Sequence, residues 1–194
     1  IKLIDPNGMD TAFADNQART DFKLAQQNVT SNIESISNQI KSSDISQREK
    51  MKLEKKLSKW ELLKEDFDYI CDPKTHKVTY STDMSKFDSE IVGHTESDFT
   101  GETITSSNVW FRAGRLSSII HENRHARQSP ILEKCEKEFE AFTYQSIYSP
   151  MDVQQCIDRA RNDKYPPGSA FDATLMKEWG IKEMVNYVYG CEIK

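Results

Sequence analysis

The chain has 194 residues, 37% of them hydrophobic and 29% charged, and its 31 acidic and 26 basic side chains leave a net charge of −5. That length carries one or two domains with a real core. The polar balance describes a soluble protein, the negative sign argues against nucleic acid or an anionic membrane as partner, and no apolar run approaches the roughly 20 residues of a spanning helix, so no membrane insertion is expected. No signal peptide is recognisable at the start. The four cysteines, Cys71, Cys135, Cys156 and Cys191, are far apart with no C-x-x-C pair, which leaves free thiols or two disulfides equally open.

In chain order, Ile1-Lys2-Leu3-Ile4-Asp5-Pro6-Asn7-Gly8-Met9 comes first. Asp-Pro-Asn-Gly on its own is an ordinary turn. The segment as a whole resembles the closing D-P-x-G stretch of the rearrangement-hotspot (RHS) repeat core. In that family the core forms a shell, and a variable C-terminal toxin domain begins just beyond it. The resemblance implies that residues 1–10 end such a core. It also implies that residues 11–194 form the effector module of a large protein, secreted or delivered into a target cell, with a cognate immunity protein as partner.

From Thr11 to Ile70 the pattern is helical. Phe22, Ala25, Val29, Ile33, Ile36 and Ile40 recur in steps of three and four, as do Leu53, Leu57, Trp60, Leu63, Phe67 and Ile70. Lys41-Ser42-Ser43-Asp44 is the expected turn, with Ser43 or Asp44 as the N-cap of the second helix. The reading is a long hairpin over residues 11–70 with a structural role; a docking or translocation element is the alternative. From Cys71 to Gly114 the signals turn to β. Asp72-Pro73-Lys74-Thr75 is a turn, Lys77–Ser81 alternates as a short strand, and residues 102–105 and 108–111 read as two further pieces. His76 and His94 fall in expected loops.

The next stretch carries the chemistry. His121-Glu122-Asn123-Arg124-His125 reads H-E-x-x-H, and Leu116-Ser117-Ser118-Ile119-Ile120 before it has the apolar face of a buried helix. Residues four apart on a helix share nearly one face, offset by ~40°. Two imidazoles placed so can ligate one Zn2+, and Glu122 can take the proton of a water in the remaining coordination position. A solvated pair of surface histidines is the alternative. Zinc in a peptidase takes three protein ligands and one water, so a third is needed from the following segment. Ser129-Pro130 is expected to break the first helix and begin the second, as N-cap and first position. The second helix then offers Glu133, Glu136, Glu138 and Glu140, among which helical phase alone does not choose.

His121 to Gln128 followed by Glu138-Phe139-Glu140-Ala141-Phe142 resembles the gluzincin branch of the zincin metallopeptidases. Those proteins carry H-E-x-x-H on one helix and E-x-x-A on the next. The resemblance implies His121, His125 and Glu138 as metal ligands, because Glu138 stands three before Ala141, with Glu140 as runner-up. The metzincin extension is absent: Gln128 stands at its glycine and Ile131 at its third histidine. Phe142 stands where relatives often have Asp, so the residue orienting the ligand histidines is unassigned. Cys135 could be a thiolate ligand, but a small buried cysteine is the simpler reading. Glu122 would act as general base and pass its proton to the leaving amine. Tyr144, Tyr148, Tyr187 and His94 are candidate oxyanion donors, and Arg124 and Arg127 could bind a substrate carboxylate.

Ser149-Pro150 begins a further helix over Met151–Asp163, Tyr165–Ser169 is a rigid loop, Asp172 could cap a helix from Ala173 to Trp179, and Lys182–Tyr189 makes the last helix. The fold class is therefore α+β and mostly helical: the hairpin packs on a zincin-like catalytic unit, residues 71–194, with a small sheet and the H-E-x-x-H helix. The function expected is a zinc-dependent peptidase effector acting on a protein or peptide of a target cell. The alternative is a non-catalytic binding module with a degenerate site.

Overall fold

The computed structural model describes residues 3–4, 11–42, 44–72, 74, 77–101, 103–165 and 179–193. Of the RHS-like segment only Leu3–Ile4 is therefore described. Asp5–Met9, His76, Asp172 and the helix expected from Ala173 lie outside the described residues.

The fold is α+β and mostly helical. Helix α1 (Asn16–Ile40) and helix α2 (Gln47–Cys71) form the hairpin. Asp15 caps α1 by accepting from Ala18 N at 2.7 Å, and it also accepts from Thr82 N and Thr82 Oγ1 at 2.8 Å, which ties the hairpin to the sheet. Burial works to raise the pKa of Asp15, but these bonds outweigh it and hold the carboxyl below the usual range. The cap of α2 is Ser46 rather than Asp44, and Ser43 lies outside the described residues. Ser46 and Glu49 satisfy each other's backbone N–H groups, Glu49 N on Ser46 Oγ at 3.3 Å and Ser46 N on Glu49 Oε2 at 2.9 Å. That reciprocal pair outcompetes a lone upstream carboxylate.

The sheet has the order β1-β2-β3-β5-β4, with β1 (Leu3–Ile4), β2 (Thr11–Phe13), β3 (Lys77–Ser81), β4 (Gly93–Thr100) and β5 (Thr103–Phe111). β2, β3 and β5 run parallel, while β4 lies antiparallel on β5 with His94 opposite Trp110. The two β pieces expected in residues 102–111 are thus one strand, and His94 belongs to a strand rather than a loop. β4 was missed because Gly-His-Thr-Glu-Ser-Asp-Phe-Thr is poor in β-branched apolar residues; its pairing with β5, not its own propensity, makes it a strand.

Helices α3 (Leu116–His125), α4 (Lys134–Tyr148), α5 (Pro150–Lys164) and α6 (Ile181–Tyr189) come next along the chain. Pro150 occupies the first turn of α5, as its missing N–H allows. α4 does not begin at Ser129-Pro130. It begins after Glu133, whose N–H donates to Glu136 Oε2 at 3.2 Å, and Ser129-Pro130 belongs to the connection. Among the described residues no helix is long and apolar enough to cross a membrane.

Two hydrophobic cores hold these elements. The larger joins Phe13, Phe22, Trp60, Phe67, Tyr80, Phe111, Ile119 and Ile120, so hairpin, sheet and α3 share one interior. Phe22 is at its centre, with ring centroids 4.8 Å from Tyr80, 5.1 Å from Phe67 and 5.5 Å from Phe13. The smaller gathers Cys135, Val153, Ile157, Ala160, Met184 and Val185 from α4, α5 and α6. A Cys135–Cys191 disulfide clips it, with Cα atoms 6.3 Å apart. Neither all-free thiols nor two disulfides describes this: Cys71 Sγ lies instead 3.9 Å from Thr11 Oγ1, and Cys156 is exposed.

Candidate metal centre

Helix α3 is buried from Ser117 to Asn123, and Ile119 and Ile120 enter the larger core. This fixes the helix about its axis and turns His121 and His125 together toward α4. Their Nε2 atoms stand 3.1 Å apart.

The proton on each ring is set by the partner of its other nitrogen. Gln128 Nε2 donates to Lys137 O and to Glu140 Oε2, both at 2.8 Å. Both partners only accept, so the amide orientation is forced, and Gln128 Oε1 faces His125 Nδ1 at 2.8 Å. Gln145 Oε1 likewise stands 3.2 Å from His121 Nδ1. Its Nε2 donates to Ser117 Oγ at 3.3 Å, and Ser117 in turn donates to Asp152 Oδ2 at 2.6 Å. An amide oxygen cannot donate, so each Nδ1 carries a proton, and in the neutral form of each ring Nε2 presents the lone pair. Two such lone pairs converging on one gap repel unless positive charge lies between them. This is the arrangement that outer hydrogen bonds impose on metal-binding imidazoles.

Glu138 closes the set. Its Oε2 lies 3.4 Å from His121 Nε2 and its Oε1 3.6 Å from His125 Nε2. Both separations exceed an ordinary N–H···O hydrogen bond, and Glu138 Oε2 is buried with no hydrogen bond among the described residues. A metal with bonds near 2.1 Å and tetrahedral angles holds its ligand atoms about 3.4 Å apart. Here the two Nε2 atoms are 3.1 Å apart and each has a different Glu138 oxygen near that spacing, at 3.4 and 3.6 Å, while one ligand atom from each of the three residues lies within 4.8 Å of the others. His121, His125 and Glu138 form a possible metal-binding triad, the one such cluster of His, Cys, Asp or Glu among the described residues. The field of the site also favours a cation. Burial works against a charged His125, but Glu138 and Glu122 outweigh it and push its pKa up to about 9. Glu138, despite its burial, is held well below the usual carboxylate range by the two imidazoles.

The other acidic candidates on α4 are engaged elsewhere. Glu133 and Glu136 cap the helix. Glu140, the runner-up, pairs with Arg124 and accepts from Gln128, away from the imidazole nitrogens. Cys135 is in the disulfide and carries no thiolate.

Glu122 is 4% exposed and lies against β4. Its Oε2 accepts from Thr95 Oγ1 at 2.7 Å. A Cβ built on Gly93 would stand 2.4 Å from Glu122 Oε1, so glycine is what lets the strand pass this close.

None of the expected oxyanion donors is directed at the triad. Tyr144 lies under Arg124, whose guanidinium carbon is 4.4 Å from the ring centroid. Tyr148 accepts from Asn28 Nδ2 at 2.9 Å, Tyr187 donates to Asp163 at 2.8 Å, and the His94 ring packs 4.9 Å from that of Phe87. The tyrosine beside the triad is Tyr189, whose hydroxyl is raised well above its ordinary pKa by burial and by neighbouring Glu138 and Glu122. The disulfide two residues on, at Cys191, brings it there, and no sequence signal gave that pairing. Arg124 and Arg127 are both engaged by Asp66 Oδ1, at 3.1 and 2.8 Å. Sequence reasoning also missed the two glutamines: Gln128 stands three residues after His125, in the turn that follows α3, and Gln145 seven after Glu138, on the ligand face of α4. Phe142 leaves the orienting role to Gln145 and packs edge-on against His121, centroids 4.5 Å apart.

The chain matches no family model, no curated protein and no solved structure.

Proposed function

We propose that the chain is a zinc-dependent peptidase whose metal is held by His121, His125 and Glu138, with Glu122 as general base. The observation that carries this is the convergence of two imidazole Nε2 atoms, each with its Nδ1 held by a glutamine, and a buried carboxylate on one gap, with one ligand atom of each within 4.8 Å of the others. Two nitrogen donors and one oxygen are a donor set that zinc takes, and three protein ligands leave one position open. Zinc bound there supplies Lewis acidity, polarising a carbonyl and bringing the pKa of a water to about 7.

The remaining roles fall to the chain's own groups. Thr95 occupies Glu122 Oε2, which leaves Oε1, over Gly93, to accept the proton and deliver it to the leaving amine nitrogen. The two glutamines hold a proton on each Nδ1, so that Nε2 is the nitrogen each neutral imidazole offers the metal. The RHS-like start supports a setting in which this peptidase is an effector that acts on a target-cell protein and is countered by an immunity protein.

Metal analysis of purified protein together with Glu122→Gln tests the reading. One zinc per chain, retained in Glu122→Gln while cleavage and toxicity fall about 1000-fold, is expected, within the range for a lost general base. No bound metal, or a Glu122→Gln protein as toxic as the parent, overturns it and leaves a partner-binding module.

A further inference from the structure

We propose that Asp66, in the N-terminal hairpin, is a positioning residue for the metal centre: through Arg124, Glu140 and Gln128 it fixes the orientation of the His125 imidazole. The inference rests on the metal-centre reading and adds to it a residue far from the motif in sequence.

The path is continuous. Asp66 is 2% exposed on α2. Its Oδ1 accepts from Arg124 Nη1 at 3.1 Å and from Arg127 Nη1 at 2.8 Å. The other arm of the Arg124 fork donates to Glu140 Oε1 on α4. Glu140 Oε2 accepts from Gln128 Nε2 at 2.8 Å, and Gln128 Oε1 faces His125 Nδ1 at 2.8 Å. Three elements, α2, α3 and α4, are thus joined by charge-assisted bonds that end on a ligand ring.

A buried carboxylate among arginines offsets its desolvation poorly, and well-packed apolar residues of similar volume are often as stable. Burial in fact works to raise the Asp66 pKa beyond what its two arginines offset. What the charge supplies is direction. Arg124 is a planar fork with donors at fixed angles; with one arm held by Asp66, the other must meet Glu140 where Glu140 can also hold Gln128. Without Asp66, Arg124 can swing onto Glu140 with both arms, and Gln128 keeps only the Lys137 carbonyl as acceptor, so its Oε1 is held less firmly against His125 Nδ1. The His125 ring then turns more freely, and its Nε2 is aimed less narrowly at the triad.

The test uses the full chain. Asp66→Asn, Gln128→Ala and their combination are compared for zinc affinity by chelator competition, and for the visible spectrum of the cobalt-substituted protein. The metal-free proteins are compared by 15N shifts of labelled histidine, which report the tautomer. Asp66→Asn is expected to weaken zinc roughly tenfold, the lower end for an outer-shell contact, to alter the cobalt spectrum and to move the His125 Nδ1 shift as its bond to Gln128 loosens. It should add nothing to Gln128→Ala, whereas Asp66→Glu should restore part of the loss. Leu63→Val, which loosens the hairpin without touching the path, should leave all three readouts unchanged. If Asp66→Asn does not fold, Arg124→Lys serves in its place, since it keeps the charge but has no second arm.

The proposal is overturned if Asp66→Asn, or Arg124→Lys in its stead, binds zinc within twofold of the parent while Gln128→Ala is weakened. It is equally overturned if the losses of Asp66→Asn and Gln128→Ala simply add. If His121→Ala and Glu138→Ala also leave zinc binding intact, the metal-centre reading itself fails, and the proposal with it.

Discussion

The two cores of this molecule hold the candidate ligands by different means. His121 and His125 ride on a helix embedded in the larger core, where aromatic residues from the hairpin and the sheet interlock around Phe22. Glu138 rides on α4, which faces both interiors: Tyr144, Ile147 and Tyr148 pack on the larger core, while Cys135, Phe139 and Phe142 belong to the smaller. Among the described residues the buried members of the smaller core are all aliphatic or sulfur side chains, its aromatics being only partly buried, and it is closed by the Cys135–Cys191 disulfide one turn before Glu138. Packing volume thus fixes the histidines, and a covalent clip helps to fix the carboxylate. A large core resists local distortion because every truncation leaves a void; a small one depends on lowering the entropy of the chain that must be ordered.

The contrast is broken most directly at Phe22. Phe22→Ala should cost about 3–5 kcal/mol, as for other buried aromatics, and urea unfolding should show hairpin and metal centre lost together. If the centre survives hairpin unfolding, the shared core does not position α3. Removing the clip with Cys135→Ser and Cys191→Ser should cost about 2–4 kcal/mol. Amide exchange should then quicken in α6 and early α4 but not in α3; uniform quickening would mean that the two cores respond as one.

The orienting glutamines sharpen the comparison, because each belongs to a different side. Gln128→Ala and Gln145→Ala should each weaken zinc about 10–100-fold, measured by chelator competition, with the fold retained by circular dichroism. The smallest effect is expected at the strand. Gly93→Ala should displace the Glu122 carboxylate and lower turnover about tenfold, since misplacing a catalytic group by even 1 Å costs up to about 100-fold, with zinc affinity unchanged. A parallel loss of zinc would show that Gly93 supports α3 rather than the base.

Much of the helical frame was legible. The three-and-four spacing of Phe22 to Ile40 and of Leu53 to Ile70 places both hairpin helices, and Ser149-Pro150 marks α5, because these signals are local. Cap assignments were less secure. Ser43, Asp44 and Ser129 were all chemically suitable; the reciprocal Ser46–Glu49 pair satisfies two backbone groups, and α4 starts where Glu136 accepts from Glu133 N. β4 was illegible because a polar edge strand is defined by its partner.

In the site itself, H-E-x-x-H placed two imidazoles on one helical face with no tertiary information, since four residues are close to one helical turn. The E-x-x-A resemblance named Glu138 among four carboxylates. The choice between Glu138 and Glu140 depends on how α4 crosses α3, and the tautomers depend on Gln128 and Gln145 being forced by Lys137 O, Glu140 and Ser117. Periodicity is written into the chain because helix geometry is a property of neighbours in sequence. Which side chain meets which across 58 residues, as Asp66 meets Arg124, is decided by packing that no local pattern encodes.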